Sequence, residues 1–338
     1  MNKTYETSIN TGKTIKTTVV IPNYNGINFI ENCLESLTKG SVVPYIIVVD
    51  NGSADGSLEL LKQKYMAEEY PYIELISLTE NTGFSHAVNV GIQRADTEYV
   101  FLLNNDTVVD VRCVEELQNL MDANPRLFSA GAKMLSLKEP DRIDDAGDYY
   151  CALGWAYARG KDKPSDRYNR DDVVFAACGG AAIYRRELFD EVGFFDEVHF
   201  AYLEDIDIGY RANICGYRNG FAHRAIVFHA GSGVSGSRHN PFKVSLSSRN
   251  SVYLIYKNMP LLQILLNLPF LFLGYGIKLL FFSLKGMGGV YLKGIGKGFA
   301  LAFSGDGRMK KVPFHIKKFP EYVRIQWELW VGMVRYVF

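Results

Sequence analysis

Short apolar strands alternate with helix-forming segments over the first 110 residues, and this alternation constrains the fold more than any other feature of the chain. The predicted strands are mostly apolar and comprise residues 17–21, 45–49, 73–78 and 99–103. The segments between them have apolar residues at helical spacing and comprise residues 28–38, 57–66 and 86–94. This order predicts an α/β fold with a mostly parallel central sheet flanked by helices.

Polar side chains follow three of these predicted strands. They are Asn23, Asp50 and Asp106. Because ligands bind beyond the carboxyl ends of the strands in doubly wound sheets, we expect a binding site at this edge.

Beyond about residue 110 the alternation becomes irregular. Helices are predicted at residues 110–122, 187–192 and 205–215, and strands at 130–135, 175–184 and 225–229. Residues 139–172 are polar and charged, and we expect them to form a long loop or hairpin that covers the site.

The charges of the chain are divided unequally between its two parts. Residues 1–207 contain 19 basic and 34 acidic side chains, a net charge of −15, whereas residues 208–338 contain 18 basic and 3 acidic ones, a net charge of +15. The first part is suited to binding cations or presenting free carboxylates, and the second to meeting phosphates or lipid headgroups. The hydrophobic content of 48% excludes a disordered chain.

The cysteines and the first residues indicate a cytoplasmic protein. The five cysteines include no C-x-x-C pair and fit neither a disulfide framework nor a zinc site. Residues 1–16 are polar and lack the apolar core of a secretion signal, so we expect a loose arm there.

Residues 259–284 are long and apolar enough to cross a bilayer, with Lys278 as their one charged residue. Polar residues and helix breakers interrupt the segment at Gln263, Asn267, Pro269 and Gly274. A single crossing would also place ten basic residues and three acidic ones, in 285–338, on the side opposite a cytosolic domain. These features favour a monotopic helix or a helical hairpin that lies in the membrane interface, with the basic residues that follow it near anionic lipid. A buried C-terminal helix or an oligomer contact are the alternatives.

Three groups of residues could carry chemistry. Asp106 offers a hard oxygen ligand to a divalent metal, or else forms an Asx turn or a helix cap. Glu204, Asp205 and Asp207 begin a predicted helix, where they could cap it or provide a general base with a raised pKa. His229 ends a predicted strand, as either a metal ligand or a core histidine.

A glycine-rich segment at residues 231–236 matches G-x-G-x-x-G after a strand. Asn240-Pro241 is unfavourable to an immediate helix and no acidic residue lies about twenty positions on, so we do not interpret it as a dinucleotide-binding motif. A loop closing over a diphosphate explains it better. The sequence lacks a P-loop motif, a G-x-S-x-G motif and an RNA-binding signature, so nucleic acid is not an expected partner.

Six motifs, in order, resemble those of family 2 glycosyltransferases, and most closely the rhamnosyltransferase-like enzymes of cell-envelope polysaccharide synthesis. They are VVIPNYNG (19–26), VDNGSADGS (49–57), NTGFS (81–85), LLNND (102–106), CGGA with Arg185-Arg186 (178–186), and FFDE followed by EDID and Arg211 (194–211). Arg249-Asn250 matches a pair that follows the last motif. The similarity covers residues 17–258.

The resemblance implies a GT-A fold. Residues 17–110 would form the nucleotide-binding half and 111–258 the acceptor-binding half, followed by a helical, membrane-associated extension at 259–338. It also implies inverting transfer from a UDP- or dTDP-sugar, with rhamnose among the candidate sugars, to a lipid-linked or polysaccharide acceptor. We expect the enzyme to be peripheral on the inner face of the cell membrane, with the C-terminal region as a candidate homo-oligomer contact.

The resemblance also implies roles for individual residues. Asp205 would be the general base, with Glu204 and Asp207 shaping its field and the acceptor site. Asp106 and His229 would bind Mg²⁺ or Mn²⁺. The donor nucleotide would contact Pro22, Tyr24, Asp50 (at the pyrimidine imide), Ser53, Asn81, Gly83, Asn104 and Asn105. Gly180 and Arg249 would lie near the diphosphate or the acceptor.

Two departures from the family pattern accompany these implications. Asn104 replaces the first carboxylate of the D-x-D motif, and residues 85–88 differ from the asparagine-rich form of the third motif. Two alternatives remain open from the sequence, a non-catalytic membrane scaffold that keeps the fold and a sugar nucleotidyltransferase. The second would require a basic, glycine-rich first loop, which residues 21–26 are not.

Overall fold

In the computed structural model, which describes residues 15–66, 69–231 and 239–337, ten strands form a central sheet. The strands of the chain are β1 (Thr17–Asn23), β2 (Tyr45–Asn51), β3 (Ile73–Leu78), β4 (Tyr99–Leu103), β5 (Thr107–Val109), β6 (Leu127–Ser136), β7 (Ile143–Asp145), β8 (Asp148–Cys151), β9 (Trp155–Ala158), β10 (Asp172–Val174), β11 (Ala181–Arg185) and β12 (Arg218–His229). The helices are α1 (Ile30–Thr38), α2 (Ser57–Tyr65), α3 (Phe84–Arg94), α4 (Cys113–Ala123), α5 (Phe189–Val192), α6 (Glu204–Cys215), α7 (Pro241–Asn258), α8 (Leu261–Leu284), α9 (Gly288–Ala302), α10 (Gly305–Met309) and α11 (Phe319–Val337).

The strand order of the central sheet is β10-β12-β6-β11-β4-β1-β2-β3, with β5 paired to β12 and β7 to β6. Strands β1 to β4 are parallel, as predicted, and β11 runs antiparallel to β4 and β6. The carboxyl ends of β1, β2 and β4 therefore meet at one edge. This is the mixed α/β sheet with flanking helices that the sequence predicted.

Both faces of the sheet are covered by helices. Val19 and Ile21 of β1 pack on one side with α1, α2 and α4, whereas Val20 packs on the other side with α3, α5 and α6. Alternate residues of a strand point to opposite faces, so a strand buried on both sides is apolar throughout. This explains why β1, β2 and β4 appear in the sequence as unbroken apolar runs.

β1 extends two residues further than predicted, through Pro22 to Asn23. Pro22 has no backbone N–H, but pairing of β1 with β4 ends at Val20, and beyond that point only β2 is a neighbour. Pro22 therefore lies where β1 pairs with β2 alone, so its missing N–H does not interrupt hydrogen bonding to strands on both sides.

The segment at 139–172 contains β7 and the β8–β9 hairpin, which pairs Asp148 with Ala158 and Cys151 with Trp155. The expectation of a hairpin over the site agrees with this arrangement.

The prediction that Asn240-Pro241 disfavours an immediate helix was wrong. α7 begins at Pro241, and the side chain of Asn240 accepts a hydrogen bond from the Lys243 backbone N–H at 2.9 Å. Proline is well tolerated in the first helical turn, where its missing N–H has no helical partner, and asparagine is a favourable N-cap.

The C-terminal helices share a hydrophobic core with the preceding domain. Leu271 of α8 and Ile325 and Leu329 of α11 pack with Tyr150 and Tyr210. The polar interruptions of α8 face this core, since the Asn267 and Gln326 amides exchange two hydrogen bonds of 2.8 Å. α8 is long and apolar enough to cross a membrane, and 17% of its most apolar 18-residue stretch is buried.

Candidate active site

A cleft of about 2180 Å³ opens at the carboxyl ends of β1 and β4. The β8–β9 hairpin and parts of α7, α8 and α11 form its other walls. The predicted site residues that line it are Pro22, Tyr24, Asn81, Gly83, Asn104, Asn105, Asp106, Gly180, Glu204, Asp205 and His229. Asp50, Ser53, Asp207 and Arg249 are not among the lining residues.

Asn23 connects the ends of β1, β2 and β4. Its amide donates to Asp50 Oδ1 at 2.8 Å, and its carbonyl oxygen accepts from Asn105 at 2.8 Å. The other oxygen of Asp50 accepts from the Ser53 backbone N–H at 3.1 Å, and the Ser53 hydroxyl accepts from the Asn25 N–H at 3.0 Å.

Asp50 and Ser53 therefore support the cleft wall from behind. The Asp50 side chain has no exposed surface. The predicted contact between its carboxylate and a pyrimidine base is corrected accordingly, because burial removes Asp50 from the surface that a base would meet.

The loop before α3 is fixed by Asn51. Its amide donates to the Gly83 carbonyl at 3.1 Å and its oxygen accepts from the Thr82 N–H at 3.0 Å. Gly83 has φ +91°, and a Cβ there would lie 2.6 Å from the Phe200 carbonyl oxygen. Only glycine fits this close approach in a left-handed conformation.

Asp106 and His229 are brought together by the pairing of β5 with β12. The Nε2 atom of His229 lies 3.2 Å from Oδ1 of Asp106, and Nδ1 lies 2.7 Å from Oδ2 of Asp144, which also pairs with Lys161. Burial opposes the charged imidazolium, but the two carboxylates outweigh it and raise the pKa of His229 to about 9.

These residues fit a divalent metal. A histidine that binds a metal usually has its other ring nitrogen oriented by a carboxylate. Here Nε2 of His229 faces the Asp106 carboxylate, and Asp144 orients Nδ1. Asn104, in place of the first D-x-D carboxylate, lines the same cleft, and its backbone N–H donates to the Gly180 carbonyl at 2.9 Å.

Glu204 and Asp205 begin α6 at the cleft wall. Asp205 Oδ1 accepts from the Ile206 N–H at 2.8 Å and Oδ2 from the Gly179 N–H at 3.5 Å. Burial raises the pKa of Asp205 above its usual value. Burial and the neighbouring Asp205 raise the pKa of Glu204 to about 8, and its Oε2 atom has no hydrogen-bond partner among the described residues.

Asp207 lies away from the cleft and is completely buried. Its carboxylate accepts from Lys257 at 2.8 Å, Arg211 at 2.9 Å and Asn258 at 2.8 Å. Although burial opposes its charge, Lys257 and Arg211 hold the pKa of Asp207 well below its usual value. The expectation that Asp207 shapes the acceptor site is therefore corrected, because its charge is neutralised inside the protein.

Arg249 also serves the fold. Its guanidinium donates to the carbonyls of Val198 and His199 at 2.7 and 2.8 Å. Arg249 therefore holds the loop preceding α6 and does not line the cleft, and its expected place near the diphosphate or the acceptor stays a prediction.

The sequence analysis assigned no site role to several cleft residues, among them Asp144 beside His229 and the group Asp145, Asp148 and Cys178. The ligand atoms of Asp145, Asp148 and Cys178 lie within 4.8 Å of one another. Burial, together with neighbouring carboxylates, raises the pKa of Asp145 to about 7 and that of Asp148 well above its usual value. The sequence signal for the two aspartates was the group of three carboxylates in residues 144–148, which are Asp144, Asp145 and Asp148 around the turn at Gly147.

The glycine-rich segment at 231–236 lies outside the described residues except for Gly231, as does the polar arm at 1–16 except for its last two residues.

Known proteins resemble this chain in sequence and in fold. The family model described as glycosyl transferase family 2 matches residues 18–193. N-acetylglucosaminyl-diphospho-decaprenol L-rhamnosyltransferase of Mycobacterium tuberculosis is 28% identical, over 62% of this chain and 75% of that protein.

Two solved structures share the fold. The mannosyltransferase PcManGT from Pyrobaculum calidifontis, in complex with GDP-Man and Mn²⁺, has a TM-score of 0.53 at 16% identity, over 97% of this chain and 88% of that one. GalNAc-T7 with UDP, GalNAc and Mn²⁺ has a TM-score of 0.59 at 16% identity, over 73% of this chain and 48% of that one. With its GT-A fold and a family match over residues 18–193, the chain belongs to glycosyl transferase family 2 and is a glycosyltransferase.

Proposed function

We propose that this glycosyltransferase moves a sugar from a UDP- or dTDP-sugar, with inversion, to a lipid-linked or polysaccharide acceptor in cell-envelope glycan synthesis. The observation that carries the proposal is the position of Asp205, a carboxylate with a raised pKa in the same cleft as Asp106 and His229. The similarity to an L-rhamnosyltransferase makes rhamnose the first sugar to test.

Asp205 acts as the general base. It takes the proton of an acceptor hydroxyl as that oxygen attacks the anomeric carbon, and the bond to the nucleoside diphosphate breaks with its electron pair leaving on the diphosphate. A single displacement inverts the anomeric configuration. A carboxylate whose pKa is raised toward the working pH is a stronger base than an exposed aspartate.

Asp106 and His229 would hold Mg²⁺ or Mn²⁺, which when bound supplies positive charge to the departing diphosphate. Pro22 and Tyr24 would contact the base, with Asn81, Gly83, Asn104 and Asn105 around the rest of the donor. Asp50 acts indirectly, because it holds Asn23 and Ser53 in place.

The function is tested by incubating the protein with UDP- and dTDP-sugars and Mn²⁺ and identifying the released nucleotide. We expect the nucleoside diphosphate. Release of a monophosphate or of pyrophosphate would indicate a nucleotidyltransferase or a hydrolase instead. Calorimetry tests the donor class, since tighter binding of ADP than of UDP or dTDP would contradict it.

We also propose peripheral association with the cytoplasmic face of the membrane. One side of α8 is apolar and exposed, with Leu262, Phe272 and Leu284 exposed by 70%, 73% and 80%. Lys285, Lys293 and Lys297 lie on or next to α8 and α9, where they would meet anionic lipid.

A further inference from the structure

The cleft continues past the catalytic carboxylates along the β8–β9 hairpin. This hairpin is attached to the C-terminal helices, because the Trp155 indole N–H donates to the Gly274 carbonyl of α8 at 3.1 Å and the Tyr157 hydroxyl to the Gly332 carbonyl of α11 at 2.6 Å. Tyr336 packs on both aromatic rings, with centroid distances of 5.3 and 5.0 Å. The far wall of the cleft is therefore aromatic and firmly held.

Two cations lie on this aromatic wall. Lys278 Nζ is 5.4 Å from the centroid of the Trp155 ring, and Arg335 Cζ is 4.8 Å from that of the Tyr149 ring. Across residues 15–66, 69–231 and 239–337, no carboxylate forms an ion pair with either one, whereas Arg159 in the same cleft pairs with a carboxylate at 2.7 Å. Lys278 and Arg335 can therefore bind an anion without first breaking an ion pair.

The same end of the cleft meets the exposed apolar side of α8. Ile277 and Phe281 line the cleft and are also 45% and 41% exposed. They flank Lys278 on the helix, so a cation inside the cleft lies next to an apolar surface outside it.

The hairpin sets the spacing between Lys278 and the base, whereas Arg335 lies over Tyr149, the residue after Asp148. Asp148 is close enough to Asp205 for the two charges to interact. From Asp148 to Cys151, which pairs with Trp155, three residue steps of a strand span about 10 Å. The order along the hairpin is thus the carboxylates, then Arg335 over Tyr149, then Lys278 over Trp155, and then the apolar face of α8.

We propose that Lys278 and Arg335 bind the diphosphate of a lipid-linked sugar acceptor whose lipid chain lies along the exposed side of α8. A sugar hydroxyl, a diphosphate and an apolar chain occur in this order in such a molecule, and each meets matching chemistry. A polysaccharide acceptor offers neither a diphosphate nor an apolar chain. The proposal rests on the proposed glycosyl transfer and selects one of its two acceptor classes.

The test measures binding of farnesyl diphosphate to the full chain in detergent, with UDP and Mn²⁺ present at saturation. We expect farnesyl diphosphate to bind at least tenfold more tightly than farnesol or inorganic pyrophosphate. Lys278→Met and Arg335→Gln should each weaken its binding by about tenfold, as expected for one charged contact, and leave farnesol binding unchanged. Arg335 is exposed, so its replacement does not threaten the fold.

Lys285→Met is the matched control. Lys285 directly follows α8 and, like Lys278, lies over an aromatic ring, that of Phe281 at 4.6 Å, but it does not line the cleft. Its variant should bind farnesyl diphosphate as the wild type does. Equal loss in all three variants would reduce the effect to general surface charge and overturn the proposal.

Three other results would overturn it. They are unchanged binding in both cleft variants, equal affinity for farnesol, and binding of farnesyl diphosphate at least tenfold tighter in a parallel titration without UDP, which would place its diphosphate in the donor site. Equal affinity for inorganic pyrophosphate would likewise overturn it, because the proposal requires the lipid chain to contribute to binding. Release of nucleoside diphosphate by the wild type is measured separately, so failure of glycosyl transfer is distinguishable from failure of this acceptor site.

Discussion

Asp205 and Asp207 lie two residues apart on α6, and the structure gives their carboxylates opposite surroundings. At 3.6 residues per turn, two steps rotate a side chain by about 200° around the helix. Asp205 consequently faces the cleft, whereas Asp207 is enclosed by Lys257, Arg211 and Asn258. One carboxylate is free to accept a proton and the other neutralises buried cations.

A pair of variants separates these roles. Asp205→Asn should fold and bind donor normally but lose sugar transfer by about 10²–10⁴-fold, the usual effect of removing a general base. Asp207→Ala should lose about 3–5 kcal/mol of unfolding free energy, because it leaves Lys257 and Arg211 buried without their partner.

Transfer rates and denaturant unfolding of both proteins check this pair. Near-normal turnover of the Asp205 variant, or a product with retained configuration by NMR, would show that the base is misassigned. An Asp207 variant as stable as the wild type would contradict its structural role.

Glu204 should make stability depend on pH. Its pKa is raised from its ordinary value of 4.5 to about 8, so between these pH values the folded protein holds a proton that the unfolded chain releases. The contribution of Glu204 to stability is therefore full below about pH 4.5 and falls as pH rises to about 8.

The measurement is the unfolding free energy of wild type minus that of Glu204→Gln, at several pH values from 5 to 8. This difference should decrease as pH increases, because the wild type loses stability relative to Glu204→Gln. A difference that stays constant with pH would show that Glu204 is ionised throughout the range.

At the scale of elements, the start of α6 depends on α7. Phe200, Tyr202 and Leu203 all have φ between +63° and +71°, a conformation unfavourable to residues with a side chain. The Asn250 amide donates to the carbonyls of His199, Ala201 and Tyr202 at 2.8–2.9 Å, which holds this loop in place. α7 thereby positions the two carboxylates that follow the loop.

Asn250→Ala should lower kcat by about 10-fold to 100-fold, since small displacements of a catalytic group have effects of this size. Donor affinity should change little, because the nucleotide-binding loops come from β1 to β4. Tyr256→Phe, on the same helix and without a hydrogen bond from its hydroxyl among the described residues, is the control. Equal kcat in the two variants would argue against a positioning role for Asn250.

At the scale of the whole molecule, part of the charge difference between the N-terminal and C-terminal parts is neutralised by ion pairs inside the protein. Lys257 bridges Asp196 and Asp207 at 2.8 Å each, and Lys310 reaches Asp196 at 2.7 Å. Cations of the C-terminal part thus neutralise buried carboxylates of the N-terminal part. Lys285, Lys293 and Lys297 lack carboxylate partners among the described residues and remain for an anionic surface.

Vesicle flotation tests the membrane proposal. Binding should be stronger to vesicles with anionic lipid than to neutral ones and should weaken with salt, because charges are screened over about 10 Å at ~0.1 M. Phe272→Asp should reduce binding, and Met66→Asp, which alters an exposed apolar residue far from α8 in sequence, should not. A stable dimer that buries α8, or indifference to vesicles at low salt, would contradict the proposal.

Much of the fold could be predicted from sequence because its signals are local. The strands β3 and β4 have their predicted bounds, and α2 differs by one residue at its end. The errors occur where the structure depends on a neighbouring strand or residue. At Pro22, β1 continues because β4 no longer pairs with it there. Pro241 begins α7 because Asn240 caps the helix.

The sequence alone determined the α/β sheet, the edge that carries the site, and the motifs of a family 2 glycosyltransferase, since strand periodicity and motif order are properties of the chain itself. Only the tertiary structure decided which carboxylates face the cleft. Asp50 and Asp207 are buried against Asn23 and Lys257, whereas Asp145 and Asp148 reach the cleft. The physical reason is that burial and charge pairing depend on residues 27 and 50 positions away, which no local pattern specifies.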